Sequence, residues 1–158
     1  MQTFLTQSKT LWTAFVAFVL MTLGFAAIMA IWDFTLIDEM SDPAVIRSHL
    51  AEMTATQKSV HIWTTATLDV LYPLAYGSLF AGMALRFFGQ WGWWIALPSF
   101  LVIPVDLTEG AVQVMALAGN SDVLWVKAYV TPLKLVLFLF GVAATLVATV
   151  IAIRQRMA

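Results

Sequence analysis

WGWWIALPSFLVIPVDLTEGAVQVMAL, from Trp91 to Leu117, is the stretch that decides the fold class of this chain. It exceeds the roughly 20 apolar residues that a helix needs to cross the hydrocarbon core of a bilayer. Two carboxylates, Asp106 and Glu109, interrupt it. A charge at the centre of a membrane helix costs about 2.5–3.5 kcal/mol on insertion scales, so charges kept there indicate a site or a lock between helices.

Composition extends this interpretation to the whole chain. Its 158 residues are 61% hydrophobic and 11% charged, whereas a soluble domain carries about 25% charged residues. Three further stretches, Leu11–Trp32, Val60–Phe87 and Leu124–Ile153, are also long enough to span a bilayer. The sequence therefore predicts an all-α, four-helix transmembrane bundle that forms one domain over residues 1–158. We expect membrane lipids as its surroundings and no nucleic acid partner.

Basic residues predict the orientation of the bundle. With four spans, both termini and the second loop share one side, which carries Lys9, Arg86, Arg154 and Arg156 close to the span ends. Because Lys and Arg near span ends favour the cytoplasmic side, we expect both termini in the cytoplasm, in a bacterial inner membrane.

The first outer loop, residues 33–59, is the one long loop. Asp42 followed by Pro43 is typical of a helix start. One face then carries Val45, Ile46, His49, Leu50 and Met53, four of them apolar. This pattern predicts a short amphipathic helix on the outer membrane interface. Thr54 and Gln57 have the spacing of a capping box that opens the second span. The acids of this loop are interpreted as a solvated face: Asp33, Asp38, Glu39, Asp42 and Glu52.

Ionisable side chains of three spans fall at one depth. At 1.5 Å per residue, Asp69 and Glu109 each lie roughly 12 Å from the outer end of their spans, and Lys134 roughly 13–14 Å. Asp106 lies one turn deeper. We therefore expect these four groups to face one another in the outer half of the membrane.

Helical phase places each of these groups on a polar stripe. The residues predicted to bind a ligand or ion are Asp69, Asp106, Glu109, Lys134, Tyr72, Tyr76, Thr65, Gln113, Thr131 and His61. Lys127 continues the stripe of the fourth span outward. His61 is interpreted as a histidine near the headgroups, more typical of a surface residue than of a ligand. Pro73, Pro104 and Pro132 lie close to the layer and free backbone carbonyls that favour a polar pocket.

The charges of the layer do not balance. Three carboxylates against one ammonium leave two negative charges in a medium of low dielectric constant. Such a cluster must hold a proton, bind a cation or admit water. We expect one carboxyl of the neighbouring pair Asp106 and Glu109 to stay protonated near neutral pH, because like charges at short distance disfavour double ionisation.

Several functions fit this pattern. The absence of cysteine excludes thiolate metal sites and cysteine nucleophiles, and no metal or cofactor signature is present. The favoured function is binding or translocation of a proton, a cation or a small amphipathic ligand from the outer side. The alternatives are an acid/base enzyme acting on a lipid-like substrate, an accessory subunit of a larger membrane complex, and a purely structural ion-pair network. A homodimer is compatible with each, and whether the chain is an enzyme stays open.

Overall fold

A computed structural model describes the chain from residue 2 to residue 157. Its α-helices are α1 (Gln2–Leu5), α2 (Ser8–Trp32), α3 (Pro43–Glu52), α4 (Ala55–Phe87), α5 (Gly92–Leu117) and α6 (Lys127–Met157). Short 3-10 helices, Gly89–Trp91 and Ser121–Val126, precede α5 and α6. The described residues contain no β-strand, so the all-helical prediction is confirmed.

Four of the helical segments are long and apolar enough to cross a membrane: Ser8–Trp32, Ala55–Phe87, Gly89–Leu117 and Ser121–Met157. Each contains one of the spans predicted from the sequence and extends beyond it at one end or both. The lengths of the apolar stretches therefore predict the number and order of these helices correctly.

The second long helix, α4, is the centre of the bundle. It packs against α2, α5 and α6, and α5 also packs against α6. Small residues bring the backbones together. A Cβ atom placed on Gly77 would lie 3.0 Å from the carbonyl oxygen of Ser99, and one on Gly92 would lie 3.0 Å from that of Ala84. Close approach at small residues is how helices associate where no water drives them together. By contrast, α2 leaves most of its apolar surface exposed.

The loop between α2 and α4 folds over one end of the bundle. Asp42 caps α3 by accepting a hydrogen bond from the Ala44 amide. Thr54 and Gln57 form the capping box that their spacing predicts. A buried apolar cluster then fixes the loop to the ends of α5 and of the segment leading into α6; its fully buried members are Ile37, Ile46 and Leu124.

Aromatic rings fill the middle of the bundle. Tyr76, Phe80 and Phe138 contact one another with ring centroids 5.1–5.6 Å apart, and Phe18 of α2 packs on their edge. Such pairs prefer tilted or edge-on contacts, as these do. Along the bundle axis, this aromatic layer lies next to the polar residues, which are on its loop side.

Candidate functional site

Glu109 is the most enclosed acid of the polar cluster. Its side chain has no exposed surface. Its Oε1 accepts hydrogen bonds from the ammonium of Lys127 and the hydroxyl of Thr131, both on α6. Its Oε2 lies 2.5 Å from Nζ of Lys134. Three donors, two of them ammonium groups, therefore surround this one carboxylate.

Lys134 joins three parts of the chain. Besides Glu109, its Nζ lies 2.8 Å from Oδ2 of Asp38 and 3.3 Å from Oδ1 of Asp106. The ammonium therefore bridges the loop, α5 and α6, and 13% of its side chain is exposed. The carboxylates of Glu109, Asp38 and Asp106 thus surround a single ammonium group.

Asp106 and its neighbours connect the cluster to the aromatic layer. The hydroxyl of Tyr76 donates to Oδ2 of Asp106 at 2.6 Å. Tyr72, one turn before Tyr76, shares a 3.1 Å hydrogen bond with Thr22 of α2. Both tyrosines thus have hydroxyl partners, but only Tyr76 contacts the acids by a hydrogen bond.

Asp69 differs from the other acids because no donor holds it. Among the described residues it makes no hydrogen bond and no close ion pair. One of its oxygens nevertheless lies within 4.8 Å of an oxygen of Asp38 and one of Asp106, which are equally close to each other. A Cβ atom on Gly110 would lie 3.5 Å from Oδ2 of Asp69 and 3.4 Å from the methyl group of the buried Thr65, so α5 leaves only small space beside this carboxylate.

Asp38 comes from the loop, not from a span. It accepts hydrogen bonds from Lys134 and, at 2.9 Å, from Nε2 of Gln113. Burial alone would raise the pKa of Asp38, but the charge of Lys134 and these two hydrogen bonds outweigh it and hold the pKa below the ordinary value of 3.8. The buried residue Ile37 next to it anchors this part of the loop. Asp38 thus closes the cluster from the loop side.

His61 lies at the same end of the bundle, next to Gln113. Its side chain is fully buried, and neither ring nitrogen has a hydrogen-bond partner among the described residues. The ring packs against Phe34 of the loop, with centroids 5.4 Å apart. Buried polar atoms normally have partners, so two without one are a feature that needs an explanation.

Two interpretations made from the sequence are wrong. Asp38 is not part of a solvated face, because the loop folds back and places its carboxylate on Lys134. His61 is not a surface residue, because Phe34 and the loop cover it. Lys127, which continues the predicted polar stripe of the fourth span, is fully buried on Glu109.

The sequence holds a signal for two of these residues. Leu36 and Ile37 are apolar neighbours in an otherwise acidic segment, and such a pair indicates a loop that returns to a core. Lys127 lies seven residues before Lys134, on the same face of α6. No local pattern would have shown which loop acid enters the cluster, since the residues between Asp38 and Lys134 span three helices.

The full cluster keeps the charge imbalance of the smaller predicted set. Four carboxylates (Asp38, Asp69, Asp106 and Glu109) meet two ammonium groups (Lys127 and Lys134), which leaves two formal negative charges among the described residues. The excess lies on the side of Asp69, because Glu109 and Asp38 are paired. This set of residues is called the carboxylate centre below.

No protein-family model, curated protein or solved structure matches this chain. Its function therefore has to be inferred from the chemistry of the carboxylate centre.

Proposed function

We propose that this chain is an integral membrane protein that binds and releases protons at the carboxylate centre, which it reaches from the side of the long loop. Four helices suited to a bilayer support the membrane location. The observation that carries the proposal is the charge excess: Asp38, Asp69 and Asp106 bring carboxylate oxygens within 4.8 Å of one another with too few cations to balance them.

The topology proposed with it has both termini in the cytoplasm of a bacterial cell. The basic residues near the span ends support this orientation. The loop and α3 then lie on the outer side, and α3 rests at the membrane interface, with Ile46 and Leu50 turned towards the bundle. Lipids are the partners that the exposed apolar faces of α2 and α6 require.

Asp69 is the group proposed to carry the proton. Glu109 has three donors, Asp38 two, and Asp106 a tyrosine hydroxyl and a lysine. Asp69 has no hydrogen-bond donor and lies close to the carboxylates of Asp38 and Asp106. Acids at such distances share protons so that one stays neutral. These contacts move the expected proton from the pair Asp106 and Glu109 to Asp69.

Exchange takes place at the loop side only. The aromatic layer of Tyr76, Phe80 and Phe138 lies on the other side of the centre, and such packed rings offer no route for ions. Binding from one side is the primary activity proposed; translocation across the membrane would require α2, α4 or α6 to part at this layer.

Infrared spectroscopy of the protein in lipid nanodiscs tests the proposal. We expect a protonated carboxyl band at pH 7 that weakens in the Asp69→Asn variant, because the neutral acid is then missing. Glu52→Gln removes an exposed acid outside the centre and should leave the band unchanged. Complete ionisation of the wild-type carboxyls at pH 7 would contradict the proposal. If the band appears only when metal cations are removed, a cation occupies the centre in place of the proton.

A purely structural ion-pair network predicts a different pattern. Replacement of a buried ion-pair network by apolar residues of similar volume is often neutral or stabilising. A variant with all six ionisable residues of the carboxylate centre made apolar would then be as stable as the wild type, and no carboxyl of the wild type would gain or lose a proton between pH 5 and 8.

A further inference from the structure

His61 and Gln113 form a pair whose unused polar atoms are complementary. Oε1 of Gln113 is buried and accepts no hydrogen bond among the described residues. Both ring nitrogens of His61 are also buried and have no hydrogen-bond partner there. The Gln113 side chain lies beside the ring. A small turn of the imidazole lets one N–H donate to that oxygen, which gives both residues a partner. Each buried polar group left unpaired costs about 1–3 kcal/mol, so this turn is favoured.

Gln113 already holds the next member of the chain. Its Nε2 donates to Oδ1 of Asp38 at 2.9 Å, and Asp38 belongs to the trio of acids with Asp69 and Asp106. The amide therefore fixes His61 on one side and Asp38 on the other. One ring nitrogen of His61 remains without a partner. The ring packs on Phe34, which keeps part of its own surface exposed.

We infer that His61 is the proton-uptake residue of the carboxylate centre, the group through which protons pass between the loop side and Asp38. This inference depends on the proposed function. Imidazole suits the task because it binds a proton at one nitrogen and releases another from the opposite nitrogen.

The proposed transfer has two proton steps. A hydronium ion from the loop side gives a proton to the unprotonated ring nitrogen of His61, which forms the imidazolium and leaves a water molecule. The ring then turns away from Oε1 of Gln113, and the opposite N–H gives its proton to the carboxylate of Asp38 through one water. This step leaves a neutral imidazole and a neutral carboxyl, and Asp38 passes the proton on to Asp69 within the trio. A turn of the ring restores the first tautomer.

The charges around His61 fit a transient cation. Asp38 from the loop attracts the imidazolium, whereas Lys127 of α6 repels it. Gln113 of α5 and Phe34 of the loop are uncharged. The ring thus lies near one attracting and one repelling charge, and a relay residue must release the proton it accepts.

Proton uptake can be timed by releasing protons from a photolabile compound and following the carboxyl infrared band in nanodiscs. We expect His61→Phe and His61→Gln to reach the same final band as the wild type but roughly a hundredfold more slowly, within the range that a positioned proton-transfer group contributes. His49→Gln is the matched control, since His49 is the other histidine of the chain and bonds the Thr35 carbonyl in the loop. It should keep the wild-type rate.

Two variants separate a relay from a structural role. Phe fills the space beside Phe34, while Gln can bond Gln113 but cannot carry a proton. Wild-type uptake in His61→Gln overturns the inference even if His61→Phe is slow or unfolded, because hydrogen bonding alone then suffices. Failure of the proposed function looks different: the wild-type band itself does not respond to the released protons.

Discussion

At the scale of single residues, Lys127 and Glu109 show how burial changes what an ion pair does. Both side chains are fully buried, and removal of two charges from water costs several kcal/mol for each. Their mutual attraction, with Thr131 and Lys134 around the same carboxylate, offsets that cost only while the set is complete. Loss of one member leaves an unpaired charge inside the bundle.

Lys127→Met is therefore expected to lower the free energy of unfolding by about 3–5 kcal/mol, the range for breaking a buried pair from one side. Unfolding in mixed detergent micelles, followed by circular dichroism, measures the change. Lys9→Met removes an exposed lysine and should have little effect. Addition of Glu109→Leu to Lys127→Met should recover part of the loss; a double variant as unstable as the sum of the two single variants would contradict this account.

At the scale of helices, the interface of α4 with α6 depends on the absence of a side chain. A Cβ atom on Gly141 would lie 2.4 Å from a ring carbon of Phe80, which is itself buried in the aromatic layer. The ring cannot turn away, because Tyr76 and Phe138 pack against it. The distance between these helices is therefore set by a glycine.

Gly141→Ala is expected to destabilise the fold by about 1–3 kcal/mol, the usual cost of overpacking a core. Gly110→Ala is the matched control on α5, because its added methyl group meets Thr65 and Asp69 at ordinary contact distances. That variant should be neutral or up to about 1 kcal/mol more stable, since alanine favours helix more than glycine does. Thermal unfolding of both variants in the same detergent gives the comparison, and equal stabilities would refute the packing argument.

The loop is a second element whose attachment depends on charge. Because the folded-state pKa of Asp38 lies below 3.8, its contribution to stability is complete above that value and is lost as the pH falls through the lower, folded-state pKa. We expect the loop and α3 to stay docked at neutral pH and to loosen in strong acid, below about pH 4.

Hydrogen exchange of the α3 amides, corrected for the intrinsic pH dependence, measures this loosening. In Asp38→Asn, hydrogen exchange of the α3 amides should no longer speed up in acid, because an amide side chain does not titrate. Glu39→Gln changes an exposed neighbour and should keep the faster exchange in acid. If the wild type and Asp38→Asn loosen in parallel as the pH falls, another group holds the loop.

At the scale of the whole molecule, the polar and apolar parts of the interior are separated along the bundle axis. The carboxylate centre lies towards the loop, and the aromatic layer follows it. Arg86 at the other end of α4 donates to the Thr6 carbonyl and to Ser8, which fixes the N-terminal segment there. The molecule therefore has one polar end and one closed end, and under the proposed function its orientation in the membrane decides which compartment supplies the protons.

Cysteine labelling tests the orientation, and the chain has no cysteine of its own to interfere. A membrane-impermeant maleimide added to sealed, right-side-out vesicles should modify Glu39→Cys in the loop but not Gln155→Cys near the end of α6. Permeabilised vesicles should show labelling at both positions. The reverse pattern would place the loop in the cytoplasm, and labelling of both positions in sealed vesicles would contradict a four-span topology.

By itself, the sequence determined the four long helices and the capping box at Thr54, and it predicted one level for Asp69, Glu109 and Lys134, because apolar length, cap chemistry and rise per residue are local properties. Only the tertiary structure decided that Asp38 closes the centre, that Lys127 belongs inside it and that His61 is buried. Asp38 and Lys134 are 96 residues apart, and their pairing follows from how Ile37 and α3 pack on the helix ends. Such packing depends on side chains that are far apart in the sequence, so no pattern within one segment can predict it.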